Sequence, residues 1–365
     1  MGITIKKIKT KLPVYDITVK DNHNFFANDI LVHNCIEITE VSKPGYTPQC
    51  TLGSINLASH DDLKSIEKSV RVMVRALNKV IDLNKWSDEW SKSAGEDQRA
   101  LAIGVAGLAD FFAKKKISYE SEEAKEWNHK IFETMYKSAV HESMLMAQEK
   151  GECYPAWEGS RYSRGETYIE GWSPLPEGEP IPVLNSLFLG LMPTASSAIL
   201  LGSFESFEPV TSNVFTRRVG QGEFLVINKY LVKELIDNNL WNQHIINKVI
   251  RSEGSIQTIT EIPADIRHRY KEVWEIPQRV LVDLSIIRNK YVDQSQSLNM
   301  YHADAKYSKI SSALMYAWKG GLKTGVYYTR TKSKIDSNKK LSTSTNEFIP
   351  EKPKDSQFEC FGCSS

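Results

Sequence analysis

The chain has 365 residues, too long for one small domain and enough for about two or three. Hydrophobic residues make up 41% and charged residues 25%, and 46 Lys plus Arg against 45 Asp plus Glu leave a net charge of +1; a globular protein with a real core is indicated, with no electrostatic ground for nucleic-acid binding or an acidic tail. Five cysteines are too few, and odd in number, for a disulfide framework, and no signal peptide precedes them, so a reducing, cytoplasmic setting with individually employed thiols is expected.

Residues 1–34 alternate like short strands: Ile3 and Ile5, then Val14, Tyr15, Ile17 and Val19, then Phe25 and Phe26, then Ile30, Leu31 and Val32, with turns at Pro13, Asp21-Asn22 and Asn28-Asp29. So short a piece cannot close a core alone and needs a partner. Asp61-Asp62 opens a helix that carries Ile66, Val70, Met73, Leu77 and Val80 on one face. The run 101–106 reads as a buried strand. Ser121-Glu122-Glu123 starts a second helix and Lys150-Gly151 ends it, with Ile131, Met135 and Ala139 as its buried stripe.

The uncharged stretch 181–204 contains Asn185, Pro193, Thr194, Ser196 and Ser197, so a buried strand over 183–191 followed by a polar loop explains it better than a bilayer does. Residues 325–328 read as a further buried strand. Helices alternating with strands from 35 to about 330 predict an α/β domain with a largely parallel sheet. Residues 331–365 form a third region, rich in Lys, Ser, Thr, Asn, Asp and Pro over 331–357, which reads as a mobile tail ending in Cys360-Phe361-Gly362-Cys363.

Two constellations carry chemistry. In the first, Val14 to Ala27 is followed by Ile30-Leu31-Val32-His33-Asn34-Cys35. Taken singly, these are two strands and a solvated turn. Together, residues 1–34 closely resemble the C-terminal fragment of a split intein, a small all-β fold. The residue types suit that chemistry. The Asn34 amide nitrogen can attack its own carbonyl and break the bond to Cys35, His33 can polarise that carbonyl, and the Cys35 thiol can receive an acyl chain. The resemblance implies that Asp16 tunes Cys35 and the first nucleophile, and that His23 supports cleavage at Asn34. It also implies splicing in trans with a separate partner carrying the N-terminal intein fragment.

In the second constellation, the motifs Cys35-Ile36-Glu37, Cys50-Thr51-Leu52, Met192-Pro193-Thr194-Ala195-Ser196-Ser197, Phe207-Glu208-Pro209, Asp293-Gln294-Ser295-Gln296-Ser297, Gly321 to Tyr328 and the terminal Cys360 and Cys363 occur in this order. Residues 35–365 thereby resemble the C-terminal half of the large subunit of class I ribonucleotide reductases, and the implied fold is half of a ten-stranded α/β barrel. Cys35 would be the thiyl residue that abstracts hydrogen from C3′ of a ribonucleoside diphosphate. Glu37, two residues on, can share its side of an extended loop and accept the 3′-hydroxyl proton. By the same resemblance Cys50 is one thiol of the active-site dithiol, and Tyr327-Tyr328 relays the radical. Pro193, Thr194, Ala195, Ser196 and Ser197 offer hydroxyls and N–H groups that would suit a diphosphate.

A terminal Cys-x-x-Cys without a second ligand pair is a poor zinc site and better placed to exchange disulfides; the resemblance implies that Cys360 and Cys363 re-reduce the active site and are themselves reduced by thioredoxin or glutaredoxin. No metal or cofactor is expected on this chain. The radical would come from a metal-containing small subunit, ATP and deoxynucleotide effectors would bind the other half of the large subunit, and the spliced subunit would be a homodimer. Cys153 matches no motif and reads as structural. The segment Gly320 to Gly325 lacks the spacing of a phosphate-binding Walker loop. Where the reductase family has a substrate-binding asparagine two residues before the cysteine, this chain has His33. Two rival readings remain: a binding module made of a dead intein fused to a regulatory subunit that no longer splices, against which the intact His33-Asn34-Cys35 argues, and cleavage at Asn34 alone, releasing a fragment that associates non-covalently.

Overall fold

The computed structural model describes residues 24–27, 30–33, 36–219, 222–303 and 306–331, of which 24–27, 30–33, 217–219 and 222–224 are described by backbone alone. In chain order the strands are β1 (Asn24–Ala27), β2 (Ile30–His33), β3 (Thr51–Asn56), β4 (Leu101–Ala106), β5 (Val214–Val219), β6 (Gly222–Ile227), β7 (Met300–His302) and β8 (Thr329–Thr331). The helices are α1 (Leu63–Leu83), α2 (Glu89–Gln98), α3 (Leu108–Lys114), α4 (Glu122–Lys150), α5 (Ala195–Leu201), α6 (Lys229–Asp237), α7 (Gln243–Arg251), α8 (Ala264–Arg269), α9 (Gln278–Asn289) and α10 (Tyr307–Lys319).

Both long helices begin where their caps predict. The Asp62 carboxylate accepts from Ser65 N at 2.7 Å, the Ser121 hydroxyl accepts from Ala124 N at 3.1 Å, and Gly151, at φ 71°, closes α4. The stripe of α4 is as expected, with Ile131, Met135 and Ala139 fully buried. That of α1 is shifted: Val74 and Ile81 are buried, whereas Met73 is only partly so and Val80 is 51% exposed. The contiguous face is 66, 70, 74, 77 and 81, and positions 73 and 80 lie just beyond one edge of it, about 60° and 80° round the helix from its centre. Glu142 of α4, 1% exposed, accepts from Arg71 and Arg75 of α1 and fastens the two helices together.

The strands pair in four two-stranded sheets. Two are parallel (β3 with β4, β7 with β8), and two are antiparallel (β1 with β2, β5 with β6). The expected predominance of parallel pairing therefore holds only in part, and the strands do not close a barrel among the described residues. The parallel ladder is nevertheless extended by irregular segments. Leu101 N and Ile103 N donate to Leu187 O and Phe188 O at 3.0 and 2.8 Å; Leu191 N donates to Ser295 O, and Ser297 N to Leu191 O, both at 2.9 Å.

The predicted strand over 183–191 is thus a buried extended segment and not a regular strand. Its Phe188 and Leu189 N–H groups donate to the Asp293 carboxylate (2.8 and 2.7 Å), so a side chain takes the donors that a neighbouring strand would receive. The predicted strand over 325–328 gives way to β8, which starts at Thr329. There the Asn299 side chain accepts from Tyr328 N at 3.2 Å, and Tyr328 is 51% exposed.

The principal core packs β4, every residue of which is buried, against α1, α4 and α9 through Val70, Leu101, Ile103, Phe132 and Leu284. The hairpin β5–β6 leads into α6, α7 and α8, whose Leu231, Leu235, Ile245, Val249 and Ile266 form a second core that the sequence reading did not anticipate. No described helix is long and apolar enough to cross a membrane. The predicted tail over 331–357 lies outside the described residues beyond Thr331.

Asn185 ties three parts of the main core together. It exchanges two 3.0 Å bonds with Asn78 of α1, accepts from Ser143 of α4 at 2.9 Å and donates to Arg99 O at 2.7 Å. Asn185→Ala would leave these buried groups unpaired, and a loss of about 2–4 kcal/mol is expected from urea unfolding. A loss under about 0.5 kcal/mol would show that the network does not hold the layers together.

Candidate active site

The site is organised by the segment Asp293 to Asn299, which is buried throughout although six of its seven side chains are polar. Each polar group has a specific partner. Asp293 accepts the three backbone N–H groups of Phe188, Leu189 and Gln294, and desolvation still pushes its carboxyl up to about 6. Lys323, although exposed as a residue, turns its ammonium onto the carbonyls of Val292, Asp293 and Gln294, and desolvation lowers its pKa to about 8. Gln296 accepts from Arg288 at 2.6 Å and donates to Ser285 O at 2.9 Å. Arg288 is 2% exposed and lies 4.0 Å over the Phe207 ring; burial pulls its pKa down, but the guanidinium stays charged at neutral pH.

This segment reaches the candidate catalytic residues directly. Glu37, 3% exposed, accepts from the Ser297 hydroxyl through Oε2, and its backbone carbonyl accepts from Ser295 N at 2.8 Å. Gln294 donates through Nε2 both to Cys50 Sγ at 3.1 Å and to Leu101 O at 2.9 Å, and accepts from Thr39 N at 3.1 Å. Cys50 is partly buried, and desolvation together with the Glu40 carboxylate pushes its thiol well above an ordinary cysteine. Asn299 and Tyr301 donate to the Glu208 carboxylate, which burial raises.

The rings of Tyr327 and Tyr328 sit 4.2 Å apart between centroids at 54°. Their backbone lies alongside the same segment, with Tyr327 N donating to Leu298 O at 2.7 Å and Met300 N to Tyr328 O at 2.9 Å. Glu37, Cys50 and the tyrosine pair, separated by up to 291 positions in sequence, therefore converge on residues 294–300.

The expected diphosphate loop follows Leu191, whose backbone pairs with Ser295 and Ser297. Within the expected polar loop α5 begins at Ala195, and the Thr194 hydroxyl is spent internally, accepting from Ser206 N at 2.7 Å, so of the three hydroxyls only those of Ser196 and Ser197 are exposed. Cys153 lies apart on a loop, with burial raising its thiol, and touches none of these residues through a described bond. The side chains of Asp16, His23, His33, Asn34, Cys35, Cys360 and Cys363 fall outside the described residues.

Sequence reasoning quoted the motif at 293–297 without assigning it a role, and gave none to Glu40, Asn299, Lys323 or Thr324, whose hydroxyl bonds that of Ser295. One signal was legible: a run of five polar residues bounded by Tyr291-Val292 and Leu298.

The family described as ribonucleotide reductase, barrel domain, matches residues 13–328, a span that begins upstream of Cys35. The large subunit of ribonucleoside-diphosphate reductase from Caenorhabditis elegans is 36% identical over 99% of this chain and 49% of that protein. The large chain from Schizosaccharomyces pombe is 40% identical over 81% of this chain and 38% of that protein, and the large subunit from Vaccinia virus is 40% identical over 82% and 40%. The chain thus spans about half, or less, of the length of these relatives. Among solved structures, the class Id ribonucleotide reductase alpha subunit of Actinobacillus ureae shares the fold, with a TM-score of 0.65 and 23% identity over 81% of this chain and 53% of that one.

Lys323→Met keeps the aliphatic stem but leaves three inward carbonyls without their donor. Chemical denaturation should show a loss of about 1–3 kcal/mol. Unchanged stability would mean that solvent satisfies those carbonyls.

Proposed function

This chain belongs to the ribonucleotide reductase barrel-domain family, and from that premise we propose that it supplies the catalytic C-terminal part of a large subunit that reduces ribonucleoside diphosphates to deoxyribonucleoside diphosphates. The observation that carries this reading is the convergence of Glu37, Cys50 and the adjoining Tyr327-Tyr328 rings on residues 294–300.

In this reading Tyr327 and Tyr328 pass an oxidising equivalent from a small subunit to Cys35, whose thiyl takes the hydrogen atom from C3′. Glu37, oriented by Ser297, accepts the 3′-hydroxyl proton, which eases departure of the 2′-hydroxyl as water. Cys50 and a thiol from the other half of the subunit then supply two electrons and two protons and become a disulfide. Cys360 and Cys363 reduce that disulfide by exchange and are reduced in turn by a thioredoxin or glutaredoxin. The exposed Ser196 and Ser197 hydroxyls and the first-turn N–H groups of α5 bind the diphosphate. Effector nucleotides bind the other half, and the assembled subunit is a homodimer.

We further propose that residues 1–34 splice in trans onto a partner carrying the N-terminal intein fragment, so that Cys35 first accepts the acyl chain and later carries the radical. The support is the Asp16, His23 and His33-Asn34-Cys35 pattern in sequence. A second reading, that residues 13–34 are ordinary reductase sequence and nothing is spliced, draws on the family match that begins at residue 13. Mass spectrometry after mixing with the N-terminal partner decides between them. The wild-type chain should release residues 1–34, and Asn34→Ala, which has no amide nitrogen to cyclise, should not. Release from the variant, or none from the wild type, would remove the splicing assignment.

Cys35→Ser separates the two roles, because an oxygen nucleophile can still accept an acyl group slowly while its O–H bond is too strong to give the radical. Ligated product without deoxynucleotide formation is expected when it is assayed with active small subunit. Turnover near the wild-type level would show that Cys35 is not the radical residue.

A further inference from the structure

Glu40 sits on the loop before β3, and its carboxylate lies close enough to the Cys50 thiol to raise it. Gln294 approaches the same sulfur as a donor, with Nε2 at 3.1 Å. The thiol is therefore flanked by an amide donor and a carboxylate. Glu40 Oε1 is buried without a hydrogen-bond partner. Glu40 also lines a cavity of about 220 Å³ with Tyr46, Gln98, Arg161, Tyr162 and Ser186, and the Ser186 hydroxyl is a second buried polar atom without a partner. Val41, also in the wall of this cavity, is 69% exposed, so the cavity leads towards solvent. A polar cavity of this size has room for several waters.

A carboxylate buried against a thiol is costly if packing is its only task, since burial disfavours both charged forms. It is well suited to exchanging a proton, and desolvation holds Glu40 at about 7, where both protonation states are populated at neutral pH.

We propose that Glu40 takes the Cys50 proton when that thiol is oxidised and returns a proton when the disulfide is reduced, with the cavity behind it connecting Glu40 to solvent. The proposal rests on the reading of Cys50 as a redox thiol. On oxidation the two sulfurs bond and their two electrons and two protons go to the substrate, the Cys50 proton by way of Glu40, which then takes up a proton from solvent through the cavity. On return, an incoming thiolate bonds to the partner sulfur, the S–S bond breaks, and Cys50 departs as a thiolate that takes the proton from the Glu40 acid. The other ionisable groups facing the pair are Asp293, which acts on Cys50, and Tyr46 and Arg161 on the cavity side, with Asp97 of α2 acting on Tyr46.

The test is peptide-resolved iodoacetamide labelling of the full-length chain as a function of pH, with Cys153 as internal reference. Glu40→Gln removes the negative neighbour, so the Cys50 midpoint should fall by about one pH unit or more, giving roughly 10-fold faster labelling below it with an unchanged rate at high pH. Glu40→Asp should keep the midpoint close to that of the wild type. A second arm measures reduction, by dithiothreitol, of a glutathione mixed disulfide at Cys50. Per dithiothreitol thiolate, the wild type should hold its rate down to about pH 7, and Glu40→Gln should lose roughly 10-fold there. An unmoved midpoint, a rate increase at every pH, or equal reduction rates near neutrality would each overturn the proposal. Neither arm uses nucleotide turnover, so failure of the reductase reading would show separately, as absence of product from the wild-type assembly.

Discussion

Burying a polar segment inside an α/β core is the constraint on which this site depends. Residues 293–299 place a carboxylate, three amides and two hydroxyls where water does not reach, and each unpaired group there would cost about 1–3 kcal/mol. The surrounding fold supplies the partners: a lysine ammonium capping three carbonyls, a buried arginine on Gln296, and two backbone N–H groups from 188–189 on Asp293. Because the segment cannot shift without breaking several of these bonds at once, the residues hung from it are held in place. Glu37, Cys50 and the tyrosine pair inherit their positions in this way.

The same constraint explains the irregularity of the sheet. Side chains compete with strands for backbone donors: Asp293 takes those of Phe188 and Leu189, and Asn299 takes that of Tyr328. A regular ladder would satisfy the backbone and leave the side chains free. Here some ladder bonds are exchanged for bonds that fix side chains, as expected where position matters more than regularity. The electrostatics follow. Desolvation pushes the acids Asp293 and Glu40 up and the base Lys323 down, so three groups titrate near neutrality within one cluster, a pattern that accompanies proton-transfer sites.

Family membership and local geometry answer different questions. The match over residues 13–328 says which fold and chemistry to expect, while the chain spans only about half of its relatives' length. The geometry adds what similarity alone does not give: which oxygen of Glu37 is held by Ser297, that Thr194 is occupied by Ser206, and that Cys50 faces Glu40 as well as Gln294.

The sequence by itself determined the local elements and the chemical inventory. Caps at Asp62 and Ser121, the glycine at 151 and the apolar stripe of α4 are legible because helix ends and faces are set within one or two turns of chain. The ordered motifs were legible as a family resemblance, and with them Glu37, Cys50 and Tyr327-Tyr328. Only the tertiary structure decided what those residues do to one another. Gln294 lies 244 positions from Cys50, Ser297 lies 260 from Glu37, and Lys323 caps carbonyls about 30 residues away. No periodicity encodes such pairings, because they arise when burial forces each polar group to find a partner wherever the fold has brought one within reach.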